Sequence, residues 1–454
     1  MLRSSAHFKS LKRPRVVLNF LIPAAMMALA AAASGGATTP APPPPTPATR
    51  PGAAVASKVD AHVGVIRFLE ARTRRDPEDI TALNRLAGEY LARFRRSGDD
   101  NDVALAARAA AQSLESVPGA QNSAGLAAKA RAAFALHGFA VARDIGLQLV
   151  DQEPNKAYPF EILGDAELEL GDYDRAAVTY EKMRVAGGES GAGGVNTLSR
   201  LARLALIRGD LEASRAKFEA ATDAARAIDP PMPDVVAWCL VQSGQLRFST
   251  GDWDGAEERY RAALAASPTD WPAIDHLAEL LAARRQYDAA VALYVPLVAR
   301  VPRPELMQNL GDVYAAMNRP SDAAVWRGKA LEKYLAAATG GSAHYYHHLA
   351  GFYSDTQPDA AEALRWAKKD LEVRHSVYAY DGLAWALYQT GDASAASAAA
   401  GAMNKALSQG TRDAHILYHA SLIYFRAGDG AKAKDCLKRA AETNPHFNEF
   451  HVHR

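Results

Sequence analysis

The side chains best equipped for chemistry in this 454-residue chain are its histidines, and six of the 13 fall late, at His344, His347, His348, His375, His415 and His419. Two pairs, His344/His348 and His415/His419, are spaced i,i+4, which sets both imidazoles of a pair on one face of a helix. Two imidazoles alone rarely fix a zinc or copper ion, so each pair would need ligands from elsewhere. The reading is therefore no resident metal and no cofactor, with His344, His348, His415 and His419 as the metal candidates. His446, His451 and His453 close the chain in what reads as a frayed tail.

Catalytic constellations are absent. Gly-Glu-Ser-Gly at 188–191 has the letters of a nucleophile elbow, but that motif needs a strand-to-helix turn and its flanks here read as helix and glycine. There is no Gly-x4-Gly-Lys phosphate loop, no His-Glu-x2-His zinc helix and no Gly-x-Gly-x2-Gly dinucleotide loop. Cys239 and Cys436 form no CxxC pair and read as small buried apolar residues. The chain is expected not to be an enzyme.

The elements that carry these residues repeat. A Gly-Asp pair begins at Gly171, Gly209, Gly251, Gly391 and Gly428. Five residues after each glycine stands a small residue (Ala176, Ser214, Ala256, Ala396, Ala433), and seven before it another (Gly164, Ala202, Gly244, Ala384, Ser421). The glycine supplies a helix C-terminal turn and the aspartate caps the next helix. The small residues let two antiparallel helices approach closely. The same ruler, at roughly 34 residues or a little more, gives ten units anchored on Ala87, Ala130, Gly164, Ala202, Gly244, Ala278, Gly311, Ala350, Ala384 and Ser421. The first unit needs extra residues around Ser97–Asp102, and the second lacks the turn glycine. Glycine and proline runs at 187–194, 227–233 and 340–341 lengthen joints between units.

In its clearest unit, Phe160-x2-Leu163-Gly164 … Gly171-Asp172-Tyr173-x2-Ala176-x3-Tyr180-x2-Met183, the pattern resembles the tetratricopeptide repeat. The resemblance implies an all-α, right-handed superhelical solenoid of about ten helical hairpins over residues 78–447. It also implies that the first helix of each unit lines a concave groove. The groove strip so defined is His344, His347, His348, Tyr378, Asp381, Trp385, Tyr388, His415, Tyr418 and His419, the expected binding site for a protein or peptide. Tyrosine and tryptophan offer wide contact area at small rotamer cost. Glu161, Asp165 and Glu169 would add an acidic patch in the third unit.

The remaining segments place the molecule. Arg3, Lys9, Lys12, Arg13 and Arg15 precede an apolar run, Val16 to Ala33, that ends in small residues. This reads as a signal peptide over 1–33, or else an uncleaved N-terminal anchor of an assembly factor in the inner membrane. Residues 34–56 read as a proline- and alanine-rich disordered tether, since proline lacks the amide donor and locks its backbone. Residues 57–77 read as a capping helix with Ser57 at its start, and 448–454 as tail. With a formal net charge of +1, and five basic residues but no acid within residues 1–36, the body that follows is mildly acidic and ill suited to nucleic acid. The expectation is an exported, periplasmic or secreted scaffold that meets a membrane only through an uncleaved N-terminal segment. The alternative is a metal-handling accessory protein using the histidine pairs.

Overall fold

The computed structural model describes residues 51–188 and 191–447. The signal segment, residues 34–50 of the tether, Glu189 and Ser190 of the Gly-Glu-Ser-Gly run, and the 448–454 tail lie outside the described residues. Among the described residues there are helices and no strands, and no helix is long and apolar enough to cross a membrane. The chain is an all-α repeat solenoid.

Helix α1 (Pro51–Arg75) stands first. It begins six residues before the expected capping helix, inside the stretch read as tether, and passes through Ser57 rather than being capped by it. Pro51 at the first helical position loses no hydrogen bond and presets φ, and after Gly52 the run Ala53-Ala54-Val55-Ala56 has no breaker. Ile66 and Leu69 bury against Leu86 and Tyr90 of the first unit, and the Tyr90 hydroxyl donates to Glu70 at 2.8 Å.

Ten antiparallel pairs follow. They are α2 (Ile80–Ser97) with α3 (Asp100–Ser116), α4 (Ser123–Ala135) with α5 (Phe139–Gln152), α6 (Ala157–Glu169) with α7 (Tyr173–Gly187), and α8 (Gly191–Ile207) with α9 (Leu211–Arg226). Next come α10 (Pro233–Ser249) with α11 (Trp253–Ala266), α12 (Trp271–Ala283) with α13 (Tyr287–Arg300), and α14 (Pro304–Ala316) with α15 (Pro320–Thr339). The last three are α16 (Tyr346–Gly351) with α17 (Ala360–Val373), α18 (Val377–Gln389) with α19 (Ala395–Ala406), and α20 (Ala414–Arg426) with α21 (Gly430–Thr443). A 3₁₀ turn, Ala343–Tyr345, leads into α16 and a π-helical turn, Phe352–Thr356, leaves it.

Every one of the ten anchor residues is buried in the first helix of its pair. The reason for small size is direct: a Cβ on Gly164 would lie 2.5 Å from the Tyr180 ring, and one on Gly244 2.4 Å from Tyr260. The aspartates after the turn glycines divide. Asp210, Asp252 and Asp429 cap the following helix by accepting from a backbone N–H, whereas Asp172 does not, and Asp392 instead receives Ser394 ahead of α19.

A second periodicity closes the molecule on itself. The turn inside each of the first five units rests on the linker that follows the unit five places later. Gly98 meets Arg303, His137 meets His344, Gly171 meets His375, Gly209 meets Gly410, and Gly251 meets Pro445. Hydrogen bonds tie these seams: Trp271 Nε1 donates to Arg95 O at 3.0 Å, His375 N to Glu169 O at 3.2 Å, and Val377 N to the Tyr173 hydroxyl at 2.8 Å. His446 belongs to the last seam, its ring 4.2 Å from that of Trp253, so it is packed rather than frayed.

Candidate functional site

Helix α18 starts at Ser376, whose hydroxyl accepts from Ala379 N, and this register turns Tyr378, Asp381 and Trp385 toward α16 and α20. On α20, Asp413 receives His415 N and Ile416 N and fixes the start from which His419 reaches inward. Together with α17 these helices enclose a cavity of about 500 Å³, counted with the solvent at its mouth. His347, Asp355, Asp370, Arg374, Asp381 and His419 supply its polar groups, and Tyr378 and Trp385 its aromatic wall.

The polar groups come in held pairs. His419 Nδ1 faces both Asp381 oxygens at 3.0 and 3.1 Å, so the proton sits on Nδ1 and the Nε2 lone pair is left without a partner. Its ring is stacked on Trp385, with centroids 3.9 Å apart, and Trp385 stacks on Tyr388 at 4.9 Å. Trp385 Nε1 donates to Asp355 at 3.1 Å. Arg374 Nε donates to both Asp370 oxygens at 2.9 Å, while its Nη1 has no partner although the residue is only 1% exposed. Burial raises the Asp370 carboxyl above its usual range, and the Arg374 charge opposes that shift. Neither nitrogen of half-buried His347 is partnered. Two residues that line the cavity thus each hold an unmet polar atom, an acceptor at His419 Nε2 and a donor at Arg374 Nη1, while its three carboxylates are already engaged.

The expected strip therefore divides. His347, Tyr378, Asp381, Trp385 and His419 line the cavity. Tyr388 lies behind Trp385 under the Arg426 guanidinium, His415 stands edge-on to His419 at 4.4 Å, and Tyr418 packs on Phe447 at 5.3 Å. His344 and His348 turn away into a buried cluster: His344 Nδ1 lies 3.1 Å from His137 Nε2, and the His347 ring lies tilted against that of His348 at 4.0 Å between centroids. One ligand atom each from Glu305, His344 and His348 lies within 4.8 Å of the others. Among the described residues no such third ligand joins the His415/His419 pair.

The acidic patch is not an open surface. Glu161, Asp165 and Glu169 are buried and met by the next unit's first helix, Arg200 binding Asp165 at 2.7 Å and Arg203 binding Glu169 at 2.5 Å. Sequence reasoning missed Asp355, Asp370 and Arg374, because only the first helix of each unit was expected to line the groove, and these lie in the turn after α16, in α17 and just beyond it. It also missed His137, although the absent turn glycine of the second unit marked the place.

Residues 247–310 and 414–447 match tetratricopeptide-repeat family models. A search of the curated proteins found no match to the sequence. Among solved structures, a human IFIT1 dimer with PPP-AAAA is similar at 12% identity, covering 83% of this chain and 93% of that one, with a TM-score of 0.40. Yeast Tom70 is similar at 12% identity over 80% of this chain and 92% of its own, TM-score 0.34. A thermophilic TPR protein of Thermus thermophilus is similar at 18% identity over 45% and 99%, TM-score 0.38.

Proposed function

We propose that this tetratricopeptide-repeat protein is a non-enzymatic interaction scaffold that holds a peptide segment of a partner protein in the cavity between α16, α17, α18 and α20. The observation that carries this reading is that two residues lining one cavity, His419 and Arg374, each hold a buried polar atom without a partner, Nε2 and Nη1. Leaving such groups unmet costs roughly 1–3 kcal/mol each, which a ligand recovers by supplying a donor and an acceptor. A peptide amide, in the main chain or in Asn or Gln, offers both, on two separate atoms. Full charge is a poorer match, because Asp355, Asp370 and Asp381 are already satisfied. Since the walls are preformed by packed helices, little ordering entropy is lost on binding.

The basic, apolar and small-residue order of residues 1–33 supports export, with the scaffold working outside the cytoplasm. A mature N-terminus near Ser34 in the secreted or periplasmic fraction tests that part; a chain keeping Met1 in the membrane would contradict it.

Selection from a displayed random-peptide library by the purified chain tests the binding reading. The expected result is enrichment of peptides carrying Asn or Gln, with affinity falling about tenfold, the worth of one buried hydrogen bond, in His419→Gln at unchanged helicity. Equal binding by His419→Gln and by Arg374→Lys would remove the cavity from the account.

A further inference from the structure

The histidine cluster beside the cavity has a different chemistry. It lies at the seam where the second unit's turn meets the linker between the seventh and eighth units. Three elements that are remote in sequence build it: His137 from the α4–α5 turn, Arg303 and Glu305 at the start of α14, and His344, His347 and His348 around the start of α16. His137 holds φ +61, the left-handed turn position that glycine fills in the next three units. Its ring is buried against those of His344, at 4.8 Å between centroids, and His347, at 5.8 Å.

The hydrogen bonds settle which atoms face inward. His344 Nδ1 bonds His137 Nε2 at 3.1 Å, and His344 Nε2 receives Arg303 Nη2 at 3.3 Å. His344 therefore carries its proton on Nδ1 and turns the Nε2 lone pair toward the Arg303 guanidinium. His348 Nε2 stands 3.8 Å from Glu305 Oε1, and the buried Glu305 Oε2 has no partner. Arg303 Nη2 also donates to Glu305 Oε1 at 2.6 Å, so a cation already stands among these acceptors.

We propose that Glu305, His344 and His348 form a binding site for a divalent ion of the zinc type. Two neutral imidazoles and a carboxylate are a borderline-soft N/O donor set that suits Zn²⁺ and leaves a fourth position open. His137 serves as the outer partner that fixes the His344 tautomer and raises its basicity. The ion competes with the Arg303 guanidinium for Glu305, a guanidinium that also lies over the rings of Phe94 and Trp271 at 5.9 and 5.3 Å. The ligands come from the start of α14 and the entry to α16, so the ion clasps the seventh unit to the eighth, and the His344–His137 bond carries the tie across the seam.

The test uses the full chain with His451→Ala and His453→Ala, stripped with a chelator and titrated calorimetrically with Zn²⁺. One equivalent is expected to bind and to raise the melting temperature. Co²⁺ at the same site should give visible absorption of a four-coordinate ion. Glu305→Gln, which keeps the side chain's shape, should weaken binding more than about tenfold. Arg303→Met, which removes the competing cation, should strengthen it. No stoichiometric binding would overturn the proposal, as would affinity unchanged by Glu305→Gln; should His348→Ala fail to fold, the Glu305 and Arg303 variants still decide.

Discussion

At the scale of single residues, the histidines of the seam should make the fold acid-sensitive. Burial holds His137 and His347 well below the usual imidazole range, lowers His344, and brings His348 down to about 3 against the pull of Glu305. Arg303, Arg374 and the neighbouring imidazoles add to the lowering, while Asp100 and Glu305 oppose it. The unfolded chain takes up these protons near pH 6.5 and the folded chain only at lower pH, so the unfolded state binds more protons in that window. Stability is thus full above about pH 6.5 and declines as the pH falls toward 3, by about 1.4 kcal/mol per histidine for each unit of displacement. Melting curves from pH 7 to pH 4 should show this slope, and His137→Gly should flatten it; an unchanged slope would mean that other groups carry it. The i,i+4 histidine pairs were legible in the sequence because they are local. Their partners were not, since His137 is 207 positions from His344 and nothing in a short window relates the two.

At the scale of helices, the ten-unit register was readable almost entirely, because a small residue facing a neighbouring helix is demanded by local packing. Gly244→Ala should cost about 1–3 kcal/mol, the usual range for overpacking, since its Cβ would lie 2.4 Å from the Tyr260 ring. The turn glycines separate into two kinds that the sequence spells alike. Gly171 holds φ +80 with His375 O 2.4 Å from the place of a Cβ, whereas Gly391 holds φ +72 in open space. Chemical denaturation should find Gly391→Ala destabilised by roughly 1 kcal/mol, the cost of a left-handed backbone with a Cβ. Gly171→Ala should lose clearly more, because the seam must also give way; equal losses would show that the seam is not packed at that turn. The start of α1 was misread for a related reason, since proline at a helix N-terminus and proline in a tether look alike until the following residues are weighed.

At the scale of the whole molecule, the inner wall is shaped by the five seams between successive turns of the superhelix. An open groove would have left His344, His348, Asp381 and His419 exposed, yet all four are buried. The cavity beside α18 is bounded by four helices, which fits the capture of one short segment. Repeat spacing fixes each hairpin and its neighbour, but the rise of the superhelix accumulates from small rotations at every joint, so its closure was not visible in the sequence. Solution X-ray scattering from the monodisperse full chain tests that closure most directly. A pair-distance distribution with a single maximum, matching two stacked turns for residues 51–447, is the predicted result; the long, falling tail of an extended rod would contradict it.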